Sequence, residues 1–122
     1  MLVVGEKEDV EFVLDSYANL IGRVDPETRS YPNIDLTAYD PSAKISRRHA
    51  KIYSMDGRNY WLEDLGSFNG TSLNGVRIGS RQPQPIHDGD DILFGNTPVI
   101  FRSPAISKTA KVINKDEVGG LI

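Results

Sequence analysis

Three short clusters in this chain carry side chains suited to holding an anion: Gly22-Arg23, Ser46-Arg47-Arg48-His49 and Ser67-Phe68-Asn69-Gly70-Thr71. A phosphate ester bears about −1.5 to −2 charges near neutral pH and presents three strong acceptor oxygens. A reader of that group needs a guanidinium, hydroxyls and free backbone N–H groups, because charge-assisted hydrogen bonds are the strong ones. The three clusters together supply all of these.

Catalytic chemistry finds no comparable set. The chain has no P-loop, no nucleophile elbow and no paired carboxylate acid and base. His49 stands three residues after Ser46 and invites a base-and-nucleophile reading, set against a structural role within the loop. Asp88, Asp90 and Asp91 resemble a carboxylate cluster for a hard cation, yet they lack calcium-loop spacing and fit an Asp-Gly turn. Zero cysteines exclude thiolate metal sites, and His49 and His87 have no spacing suited to zinc. No catalytic role, metal or cofactor is expected.

The elements that must position these clusters read as strands. Short β-type segments alternate with turn residues, and no amphipathic helical window escapes Gly or Pro. Strands are expected at Leu2 to Val4, Glu11 to Leu14, Ala18 to Gly22, around Ile34 to Leu36, and at Ala50 to Ser54. Tyr60 to Asp64, Thr71 to Leu73, Val76 to Ile78, Asp91 to Phe94 and Pro98 to Arg102 complete the set. Asp56-Gly57 and Asn74-Gly75 are dipeptides that accept positive φ in tight hairpins. Two loops stand out, Val24 to Asn33 and Thr37 to Ala43.

The regular spacing implies an all-β, antiparallel β-sandwich of about ten to eleven short strands, with the ligand loops at one end. The expected core is Val13, Ile21, Ile34, Leu36, Ile45, Ile52, Tyr60, Leu62, Leu65, Ile92, Phe94, Val99 and Phe101. In Tyr60-Trp61-Leu62-Glu63-Asp64, alternation sends Trp61 to the face opposite Tyr60 and Leu62, so it packs at a sandwich edge or is exposed.

In order along the chain, Ile21-Gly22-Arg23, Ile45-Ser46-Arg47-Arg48-His49-Ala50, Leu65-Gly66-Ser67-Phe68-Asn69-Gly70-Thr71 and Asn74-Gly75 resemble the forkhead-associated (FHA) family, across roughly residues 2 to 103. Each piece is weak alone, and the ordered set is specific. The resemblance implies a non-catalytic module that binds phosphothreonine on a partner protein, in signalling or assembly. Arg23 and Ser46 would grip the phosphate, with Arg47 on the phosphate or the peptide backbone. Asn69 would hold the peptide main chain, since its amide both donates and accepts. The position before this Asn is often Thr or Ser in the family and is Phe68 here, which removes one hydroxyl from the peptide-binding surface. Lys44, in the loop that sets specificity, would favour an acidic residue three places after the phosphothreonine. Gly22, His49, Ser67, Gly70, Thr71 and Asn74 would support the site structurally. The competing reading is a phosphate-independent scaffold or oligomerisation domain.

Composition sets the remaining bounds. At 122 residues the chain fits one domain, read as residues 1–104, with 105–122 a tail, a short helix or a linker. The net charge of −3 argues against nucleic-acid binding, yet Lys44, Arg47, Arg48 and Lys51 form one local basic patch. The longest apolar runs are too short to span a membrane, and the acidic start does not read as a signal peptide. A cytoplasmic location is the default expectation. Thr109 in the tail, once phosphorylated, is a conceivable internal ligand.

Overall fold

The computed structural model describes residues 1–4, 10–15 and 17–103. The tail of residues 105–122, including Thr109, lies outside the described residues. Alternating apolar and polar positions give eleven strands among the described residues: β1 (Leu2–Val4), β2 (Val10–Phe12), β3 (Ala18–Gly22), β4 (Ile34–Asp35), β5 (Ala50–Ser54), β6 (Tyr60–Asp64), β7 (Thr71–Leu73), β8 (Val76–Arg77), β9 (Gln84–Ile86), β10 (Asp91–Phe94) and β11 (Thr97–Phe101). One sheet runs β2-β1-β11-β10-β7-β8 and the other β4-β3-β5-β6-β9. The pairings between strands are antiparallel except β3 with β4, where Ile21 lies opposite Ile34 and Gly22 opposite Asp35.

The two sheets close on a core that includes Ile21, Ile34, Ile52, Leu62, Ile92, Phe94 and Phe101, all essentially without solvent exposure. Alternation carries the register: in β6, Tyr60, Leu62 and Asp64 are buried while Trp61 and Glu63 are half-buried. Trp61 thus packs on the outer face, opposite Tyr53 and Pro85 on its neighbouring strands.

Four expectations change. Val13 is 81% exposed and not core, because β2 ends at Phe12 and the alternation there turns Val10, Phe12 and Leu14 inward with Glu11 and Val13 outward. Leu65 is half-buried, since it lies beyond the end of β6 in the loop. The strand β9 is absent from the expected set; it carries Pro85, which an edge strand beside β6 tolerates. Asp56-Gly57 does not make a two-residue turn. The β5–β6 connection has five residues, with the Asp56 carboxylate accepting from the N–H groups of Arg58 and Asn59. Asn74-Gly75 is a tight turn, with φ of 50° and 84°.

The strands run so that one pole of the sandwich collects the ends of β3, β6 and β10 and the starts of β5, β7 and β11. The three anion-suited clusters fall at or near that pole. Leu62→Ala, which hollows a fully buried position, is expected to cost about 2–5 kcal/mol in urea unfolding. Val13→Ser is expected to stay within about 0.5 kcal/mol of wild type.

Candidate functional site

Gly22 ends β3 where the chain before β5 crosses it. A Cβ on Gly22 would fall on the Arg47 carbonyl oxygen, so only glycine lets the Ser46-Arg47 segment lie against the end of β3. Arg23 follows at once. Its Nε donates to the Ile45 carbonyl at 3.1 Å, which holds the guanidinium beside Ser46, and its Nη groups have no partner among the described residues.

The Ser46 loop is shaped from below by Asp40, a buried carboxylate. Asp40 Oδ1 and Oδ2 accept from the N–H groups of Lys44 and Ile45, each at 2.8 Å. Ser46 Oγ accepts from the Phe68 N–H at 3.0 Å, leaving its own proton free to donate outward. Asn69 Nδ2 donates to the Lys44 carbonyl at 3.0 Å. The two loops are therefore joined twice at the surface, and Asn69 keeps its carbonyl and a second N–H for a ligand.

His49 joins the same loops from within. The ring is fully buried and packs edge-on against Phe94, with centroids 5.7 Å apart. Its Nδ1 accepts from the Ser46 backbone N–H at 3.0 Å, and its Nε2 lies 2.8 Å from the Gly70 carbonyl. Those partners fix the neutral tautomer with the proton on Nε2. Both nitrogens are used, neither on Ser46 Oγ, so His49 is placed as a strut and not as a base for a serine nucleophile.

Asp64, unmarked in the sequence reading, organises the third cluster. It is buried at the end of β6, where Oδ1 accepts from the Ser67 and Thr71 hydroxyls at 2.6 and 2.7 Å. Oδ2 accepts from the N–H groups of Gly66 and Ser67 at 3.0 and 3.1 Å. Burial pushes this carboxyl up, but the hydrogen bonds outweigh it and hold the group below its ordinary range. Ser67 Oγ also accepts from the Gly70 N–H, and Gly70, at φ 87°, takes the left-handed backbone that favours glycine. Phe68 stands at the tip of this loop, 89% exposed.

Arg47 is not free. Its Nη1 lies 3.1 Å from Asp25 Oδ2, at the start of a turn closed by the Asp25 and Ser30 backbones. The Thr28 hydrogen bond, aided by Arg47 and the Glu27 N–H, holds the Asp25 carboxyl below its ordinary range. This turn brings in residues that sequence reasoning missed. Thr28, Arg29 and Ser30 line an open cavity of about 580 Å³ together with Ser46, Arg47 and Arg48. Asn74, expected to support the site, sits instead at the far end of β7 and bonds Asp90 and the Asp91 N–H. A second cavity, of about 380 Å³ and lined in part by Tyr60, Trp61 and Phe101, lies at the opposite pole and contains none of the anion-suited residues. Among the described residues no group of three or more carboxylate or imidazole side chains is arranged to hold a metal ion.

A two-sheet β-sandwich presenting an arginine, a serine hydroxyl and an asparagine from three loops at one pole defines a class of anion-reading peptide module. The FHA-domain family model matches residues 19–95, more than half of the chain, and the chain belongs to that family. It is 33% identical over 102 residues to the FHA domain-containing protein FHA1 of Arabidopsis thaliana, covering 82% of this chain and 39% of that protein. It is 28% identical over 98 residues to the protein FraH of a Nostoc species, covering 80% of this chain and 34% of that one. The chain thus spans well under half the length of these relatives. A solved FHA domain from a study of phosphothreonine-dependent interactions superposes with a TM-score of 0.67 at 31% identity, over 83% of this chain and 92% of that one.

Burial lowers the His49 pKa below its ordinary value near 6.5. Above that pH the ring is neutral folded and unfolded, and no pH dependence arises from it. Below it the unfolded chain takes up a proton that the folded ring resists, so stability falls as pH falls, by at most about 1.4 kcal/mol per pH unit. Urea titrations between about pH 6.5 and 5 are expected to show this loss in wild type. His49→Gln should be less stable throughout and lack that slope; an unchanged slope would assign it elsewhere.

Proposed function

We propose that this site binds phosphothreonine in an extended segment of a partner protein, with Arg23 and Ser46 as the phosphate grip. The observation that carries the reading is the pre-set donor pair. Arg23 is held by the Ile45 carbonyl with its Nη groups open, and Ser46 Oγ is held by the Phe68 N–H with its proton open. Both are ordered before a ligand arrives, which lowers the ordering cost on binding.

Arg47 joins from the Asp25 side, where its ion pair keeps the guanidinium at the mouth of the site. Asn69 spans to the Lys44 carbonyl and offers its remaining amide groups to the peptide main chain. Exposed Phe68 and Lys44 flank it, one apolar and one cationic, and fit contacts on either side of the phosphothreonine. Gly22, His49, Ser67, Gly70 and Thr71 act through the loops they hold, and none of them needs to touch the ligand. The same occupancy of His49 supports reading the chain as a binding module without catalysis of its own. The intact grip favours this over the phosphate-independent scaffold, because a scaffold needs no ordered donors at a loop pole. Recruitment of a phosphorylated partner in signalling or assembly follows as the role of such a module.

Calorimetric titration with phosphothreonine, phosphoserine and unmodified forms of a degenerate peptide tests this directly. Binding is expected for the phosphothreonine form, and Arg23→Ala is expected to weaken it by a factor of about ten or more, the worth of one charged hydrogen bond. Equal binding of the unmodified peptide would overturn the reading. Because the second phosphate pKa is about 6, affinity is also expected to fall between about pH 7 and 5 while circular dichroism stays constant.

A further inference from the structure

The cavity beside Ser46 holds more positive charge than one phosphate grip uses. Its lining sets Arg29, Arg47 and Arg48 around the hydroxyls of Thr28, Ser30 and Ser46. Arg47 and the Thr28 hydroxyl are engaged by Asp25, the carboxylate in the adjoining turn. The guanidinium groups of Arg29 and Arg48 have no partner among the described residues, in a protein whose net charge is −3. Arg29 is also presented at some conformational expense, at φ 57° in a turn where its N–H donates to the Pro26 carbonyl. At about 580 Å³ the cavity is of the size that holds a small ligand. Ser46 and Arg47 line it as well as the phosphothreonine grip, whereas Arg23, Lys44, Phe68 and Asn69 do not, so the cavity adjoins the grip and extends it toward Arg29 and Arg48.

We propose that this cavity is a subsite for a second anionic group, a carboxylate or a phosphate, borne by the same peptide within a few residues of the phosphothreonine. The inference rests on the phosphothreonine reading above. The guanidinium pair supplies planar, forked donors that match either oxyanion, and the Ser30 hydroxyl adds a neutral donor. Asp25 occupies the Arg47 side, so the second anion is taken by Arg29 and Arg48.

The test uses one phosphothreonine peptide with neutral flanks, and copies of it bearing glutamate or phosphoserine at each flanking position in turn. A further copy carries the added charge at the distant end of the peptide. In wild type, one flanking position is expected to tighten binding about three- to tenfold, more for phosphoserine than for glutamate, with little gain from the distant charge. In the double variant Arg29→Asn, Arg48→Gln that gain should vanish while the neutral-flank peptide keeps its affinity within about twofold. Asparagine tolerates the left-handed backbone at position 29 and Arg48 is exposed, so the variant is expected to fold, which its thermal unfolding checks. No gain at any flanking position, or a gain that survives in the double variant, overturns the subsite alone. Failure of the neutral-flank peptide to bind wild type overturns the phosphothreonine reading, and the subsite falls with it.

Discussion

The buried imidazole of His49 is the constraint on which the site depends. It precedes β5, in the five-stranded sheet, and its Nε2 reaches the Gly70 carbonyl that precedes β7, in the six-stranded sheet. Its other nitrogen takes the Ser46 N–H. The ring thus bridges the two sheets at the site pole and ties the Ser46 backbone to that bridge. Asp64 repeats the arrangement from the end of β6, reaching Thr71 at the start of β7. Such buried polar groups are costly unless every donor and acceptor is met, and here they are met by backbone and hydroxyl partners. The loops above can be rigid because the polar layer beneath them is saturated.

Rigidity also explains why three loops with few regular elements suffice. Ser46 is fixed by Phe68, Lys44 by both Asp40 and Asn69, and Arg23 by Ile45. Each ligand-facing donor has one bond to the scaffold and at least one left over. The carboxylates at this pole are engaged: Asp40 and Asp64 accept from backbone and hydroxyl groups of the loops, and Asp25 is paired with Arg47. An acidic protein can in this way present a cationic face at one end.

Much of this was legible in the sequence because ordered donors and strand alternation are both local signals. The strands from Ala18 to Gly22, Ala50 to Ser54 and Tyr60 to Asp64 were expected with the bounds they have. Their alternation was read correctly for Trp61 but not for Val13, where the neighbouring Val10, Phe12 and Leu14 carried the information. What stayed hidden was long-range. Asp64 and Asp40 read as ordinary strand-end and loop acids, and only burial shows that they shape the loops. The spacing Asp64-Leu65-Gly66-Ser67, an aspartate followed by N–H groups two and three residues on, was a usable turn signal. Arg29 lies seventeen residues before Ser46, and nothing in that separation announces a shared cavity.

The prolines of β9 have a bearing on how such a protein can be approached. Edge strands are where a foreign strand most readily adds to a sheet, through unpaired N–H and C=O groups. Beside β6, the last strand of its sheet carries Pro85 opposite Trp61, with Pro83 just before it. Proline has no N–H to lend to a further strand. That rim of the sandwich is thus a poor template for strand addition and for self-polymerisation through the backbone, which places strand addition, if any, at the other sheet edges, β2, β8 and β4.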